Sequence, residues 1–191
     1  TSTSQGSHPV PHTHPDDDTI IEDDTDYSLA SVGDQKTLVF LVRFQNSGPV
    51  PFSKSQAEQM VFNGQLQKFY KEQSYNKVSL SGTVVDWTTM SNSSSGANGA
   101  FSTCQAVDMF NPEIQSAITR NGIALGNYSR ALFLLEGPGM AGGCSGIGKS
   151  DIRLNGSTYS LSQSWVGLRD YNTKSSNHPF AWTRLDFVIS H

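Results

Sequence analysis

Histidines and cysteines are the residues here with the widest reach in metal and redox chemistry, and the 191-residue chain holds five of the first and two of the second. His191 closes the run Pro179-Phe180-Ala181-Trp182-Thr183-Arg184-Leu185-Asp186-Phe187-Val188-Ile189-Ser190-His191. At helical spacing Ala181, Trp182, Leu185, Val188 and Ile189 share one apolar face, and Asn177 with Pro179 supplies a start signal, so His191 is expected on a helix. On one reading His191 is the first ligand of a His-Glu-x-x-His zinc site, of which the four remaining residues are not in the sequence; on the other it is simply the last residue given. An apolar helix with no glycine stop is expected to continue, so the sequence reads as the first part of a longer domain.

The remaining candidates are scattered. His8, His12 and His14 alternate with Pro9, Pro11 and Pro15, ahead of an acidic run from Asp16 to Asp26. Their number invites a metal, but the prolines deny the helix that would gather the imidazoles, and Thr1 to Asp34 reads as a flexible tail or propeptide linker. Cys104 and Cys144 allow one pairing, which would close a loop worth about 4 kcal/mol in the chain-entropy model. Asn92, Asn127 and Asn155 each begin an Asn-x-Ser sequon and are glycosylation candidates. Gly143 to Ser150 matches Gly-x-x-x-x-Gly-Lys-Ser literally, yet a phosphate loop must lead from a strand into a helix. Here Asp151-Ile152-Arg153-Leu154-Asn155-Gly156 alternates and turns like a hairpin. Glu72, Asp86 and Trp87 lie at element ends and read as structural.

Composition narrows the classes. Hydrophobic residues make up 36% and charged residues 16%, with a formal net charge of −4. Polarity carried by Ser, Thr, Asn and Gly suits an exported protein in which cysteines are oxidised. With no Lys/Arg cluster to displace counterions, nucleic acid is not an expected partner. No apolar run approaches the roughly 18 residues of a membrane span. No secretion signal opens the sequence, so an exported chain would be a processed one.

The elements that must position these residues follow from periodicity. Lys36 to Phe44 is a nearly continuous apolar run, the pattern of a central strand buried on both faces. Ser53 opens a helix expected to reach about Gln73, and Val78 to Trp87 is a second strand, making a βαβ unit. Ser91 to Gly99 is a polar loop. A helix from Cys104 to about Arg120, interrupted at Pro112, precedes a third strand at Tyr128 to Leu135. Tyr159 to Val166 alternates and is expected as an antiparallel edge element. The order βαβαβ points to a three-layer α/β sandwich over residues 35–191.

Several ordered pieces carry a resemblance: Leu-Val-Phe-Leu-Val-Arg-Phe-Gln at 38–45, Phe-Tyr-Lys-Glu-Gln-Ser-Tyr-Asn-Lys-Val-Ser-Leu-Ser-Gly-Thr-Val at 69–84, Gly-Met-Ala-Gly-Gly-Cys-Ser-Gly at 139–146, Ser-Gln-Ser-Trp-Val at 162–166, and Phe-Val-Ile-Ser-His at 187–191. From Lys36 onward the chain resembles the gametolysin-like secreted zinc metalloproteases, a group within the zincins. The resemblance implies the upper catalytic subdomain of a zincin: a twisted mixed sheet with an antiparallel edge strand, cut after or within the active-site helix. It implies that His191 binds zinc, and that an extended peptide or protein substrate adds along an edge at Ser160 to Val166, touching Ser162, Ser164 and Trp165. The expected function is part of an exported zinc endopeptidase, inactive in this 191-residue form because the general base and further ligands are missing. Its expected partners are substrate and the rest of the domain. The competing expectation is a non-catalytic extracellular binding or self-assembling subunit on the same scaffold, associating through the exposed apolar face of its last helix.

Overall fold

A computed structural model describes residues 32–94, 110–145 and 148–168. The tail histidines, Cys104, and the terminal run from Pro179 to His191 lie outside the described residues.

The first strand, β1 (Gly33–Arg43), begins inside the segment read as tail, and its Leu38, Val39, Phe40, Leu41 and Val42 have 0% exposure. Such burial needs cover on both faces and both edges. Parallel neighbours β2 (Val78–Thr89) and β3 (Arg130–Glu136) supply the edges. Side chains alternate across the strand, so Leu38, Phe40 and Val42 enter one core while Val39 and Leu41 enter another. In the first core Phe40 stacks on Phe133 at 4.9 Å, and Phe110 meets both edge-on at 5.9 and 5.5 Å. Each such pair contributes about 0.5–1.5 kcal/mol beyond its buried area.

Helices cover opposite faces of this mixed α/β sheet. Between β1 and β2, Ser53 forms a capping box with Gln56 and starts α1 (Lys54–Glu58), followed by a π-helical turn at Gln59–Asn63 and by α2 (Gln65–Gln73). One continuous helix was expected from Ser53 to Gln73. Val61 and Leu66 are five residues apart, more than one α-helical turn, and both are buried at 1% exposure. The wider turn absorbs the extra residue and keeps both on the sheet. Gly64 marks the break: a Cβ there would stand 2.9 Å from the Met60 carbonyl oxygen. On the other face lies α3 (Pro112–Arg120), with Asn111 as N-cap, Pro112 in its first turn and Ile114, Ala117 and Ile118 buried. The predicted beginning of this helix, at Cys104, falls outside the described residues.

The last described part is one long hairpin. β4 (Ala141–Ser145) and β5 (Ser150–Leu154) run successively antiparallel to β6 (Ser157–Leu168). Asn155 and Gly156 turn the chain with φ of 51° and 79°, the paired positive angles of a type I′ turn, as the sequence predicts. The second half of β6 also pairs parallel to β3, giving the six-stranded sheet the order β2-β1-β3-β6-β4, with β5 on β6 alone. The Gly143 to Ser150 stretch therefore leads from strand to strand, which removes the context a phosphate loop needs.

Two positions test this description. At Gly82 a Cβ would lie 1.8 Å from the Thr37 carbonyl oxygen, so β2 approaches β1 as only glycine allows. Gly82→Ala should lower stability by at least about 2 kcal/mol in urea unfolding. Glu113 accepts hydrogen bonds from the Ser91 hydroxyl (2.5 Å) and amide (3.2 Å), tying the end of β2 to α3. The hydroxyl bond is the main cause holding its pKa below the ordinary 4.5. A lowered folded-state pKa stabilises above the unfolded value, and the gain is lost as pH falls through the folded one. The stability difference between wild type and Glu113→Gln should thus hold at neutral pH and shrink steadily as a denaturation series is taken below pH 4.5.

Candidate functional site

Strand β6 places the sequence-predicted contacts on two faces. Ser162 and Ser164 point to the side covered by α1 and α2, with Val166 and Leu168 beyond them. Trp165 points to the opposite core, 6% exposed and opposite Phe133 in register. One peptide cannot touch all three. The expected edge is also misplaced: residues 164–166 of β6 have β3 on one side and β4 on the other, so both rows of backbone groups are used. The antiparallel edge strand is β4, which carries Gly142 and Gly143 and pairs only with β6 among the described residues. It escaped the reading because adjacent glycines carry no side-chain alternation, and glycine is depleted in strands. A glycine pair at a sheet edge lets another backbone approach closely.

The carboxyl ends of parallel strands are the usual place for a ligand crevice. Here the ends of β1 and β3 are filled by their own loops. The Ser47 hydroxyl donates to the Glu136 carbonyl at 2.5 Å and accepts from the Phe44 amide at 2.9 Å. The Ser94 hydroxyl, with Ser94 at 0% exposure, donates to the Pro138 carbonyl at 2.7 Å, while its amide donates to Asn46 Oδ1 at 2.9 Å. A Cβ on Gly137 would stand 2.9 Å from both Phe44 and Ser94, so the packing leaves no room there.

At the other end of the sheet, Ser162 and Ser164 line a cavity of about 40 Å³ with Thr37, Tyr70 and Arg130. The Arg130 Nε donates to Gln35 Oε1 at 3.3 Å, and the guanidinium lies 6.0 Å from the centre of the Tyr70 ring. Gln35 is itself held by its Nε2 donating to the Val32 carbonyl at 3.0 Å. The Ser164 and Ser145 hydroxyls are 2.9 Å apart, linking this cavity to the edge strand. Arg130 drew no attention in the sequence, where it stands near the start of the third predicted strand.

No group of three or more His, Cys, Asp or Glu side chains among the described residues is placed to hold a metal. All five histidines, His191 included, lie outside them. The described residues thus do not make a zinc site, and no step is assigned to one. The Asp86 carboxylate accepts from the Trp87 amide at 2.8 Å, Trp87 Nε1 donates to the Phe52 carbonyl at 2.8 Å, and Glu72 is exposed. Asn92, Asn127 and Asn155 are all exposed, Asn155 at the hairpin tip. No described helix is long and apolar enough to cross a membrane.

No protein-family profile matches the sequence, and no curated protein matches it.

Cys144 sits half-buried on β4 beside the Trp165 core and has no free thiol. Its one possible partner within the chain is Cys104. Unfolded without reductant, the chain should show no reactive thiol. Reduction should release two, with a loss of about 4 kcal/mol in stability. One free thiol per chain before reduction would refute the intrachain pairing.

Proposed function

We propose that the chain is the substrate-aligning part of an exported zinc-dependent endopeptidase, and that an extended peptide pairs with strand β4. The observation that carries this reading is an antiparallel, glycine-bearing strand at the edge of an otherwise mostly parallel sheet. Main-chain hydrogen bonds along such an edge hold a peptide without reading most of its side chains, which is what a protease needs to present one bond for cleavage. The sequence pieces that resemble gametolysin-like enzymes support the same reading, and two of them, 139–146 and 162–166, fall on β4 and on part of its neighbour β6.

Zinc would be held by His191 together with ligands beyond the given sequence, and would activate the attacking water. The described residues contribute alignment alone. Cys144, bonded on β4, would stiffen that strand and lower the entropy cost of ordering it around substrate.

Two measurements test the reading. In hydrogen exchange on the 191-residue chain, an extended peptide should slow amides of Ala141–Ser145 and leave those of β1 unchanged. Protection confined to other strands would remove β4 as the docking edge. Peptide cleavage that chelators abolish should require the chain extended by the residues its coding sequence supplies after His191. An extended chain that binds peptide and never cleaves it would transfer the reading to a non-catalytic binding subunit.

A further inference from the structure

A charged guanidinium drawn into a partly buried site needs an anion or a full set of acceptors. Arg130 is half-buried, its Nε is held by Gln35, and no carboxylate among the described residues lies within ion-pair distance of it. The cavity it lines also has Thr37, Tyr70, Ser162 and Ser164 in its wall, together with five apolar residues, Leu66 and Leu80 among them, and no acidic side chain. Gln35 accepts from its Nε, and the Tyr70 ring centre lies 6.0 Å from the guanidinium.

We propose that this cavity is a binding site for a single carboxylate group, held by Arg130 with serine hydroxyls as further donors. The charge selects this ligand. The cavity is small, about 40 Å³, and open to solvent, so a carboxylate enters it while the rest of its molecule stays outside. One guanidinium balances one negative charge, and its planar fork fits two carboxylate oxygens. A phosphate, larger and carrying more charge, would leave part of its charge unmatched. The site lies at the opposite end of β3 from the sealed loops and is separate from the β4 edge. It touches that edge through the Ser164–Ser145 hydroxyl pair.

The test uses the full chain and acetate as probe, at neutral pH and constant ionic strength. Acetate should shift the Arg130 Nε–H resonance saturably, acetamide of the same shape should not, and inorganic phosphate should compete weakly. Arg130→Gln should weaken acetate binding about tenfold or more, as expected for loss of a charge-assisted contact. Ser162→Ala, a small change at a partly exposed position of the cavity wall, should weaken it less while the fold is kept. A short end-blocked peptide with one glutamate distinguishes the sources: tighter binding than acetate identifies an acidic side chain as the occupant, weaker binding a free small carboxylate. Equal shifts with acetate and acetamide, or unchanged acetate affinity in Arg130→Gln, overturn the assignment. Should that variant not fold, unchanged affinity in Ser162→Ala overturns it instead.

Discussion

Total burial of five consecutive residues in β1 is the constraint on which the other elements depend. A strand with Leu38 to Val42 inaccessible cannot sit at an edge or face water on either side. It needs a neighbour on each edge and cover on each face, which parallel β2 and β3 and the helices on either side supply. The cost of closing long loops for parallel pairing is offset by the apolar area the strand removes from water on both faces. The phenylalanine cluster of one core and the aliphatic packing of the other are the two halves of this cover.

How far the sequence was legible depended on whether side chains or backbone decided the local structure. The strands at β1, β2, β3 and β6 announced themselves through apolar runs or alternation, and Asn155-Gly156 named its own turn. The interrupted helix did not, because periodicity could not distinguish a long helix from two short ones joined by a wider turn at Gly64. Strand β4 was silent because its glycines have nothing to alternate. The error at Ser160 to Val166 arose from the same cause: a real strand with an unseen neighbour looks like an edge.

The candidate site was legible in part. Ser162 and Ser164 were singled out, and they do share a face, but the partner that gives them chemical meaning is Arg130, far away in sequence and unremarkable in its local pattern. Trp165 belongs to a core. Chemistry built from residues on three different strands leaves almost no local trace, since Thr37, Arg130 and the two serines lie far apart in sequence. Strands β1, β3 and β6 therefore had to be seen side by side.

The long hairpin has an uneven seam. Ser145 faces Ser164 and Ser150 faces Leu161, so the four positions 146–149 are spanned against the two positions 162 and 163. The turn at Asn155-Gly156 anchors β5, while β4 is anchored by its place beside β6, and the surplus collects between them. Strand faces repeat every two residues. Strand β4 keeps its register through its own pairs, Cys144 opposite Trp165 and Ser145 opposite Ser164, so a change of length between Ser145 and Ser150, odd or even, leaves the face of Cys144 as it is. The surplus is slack that evolution can use without disturbing either strand.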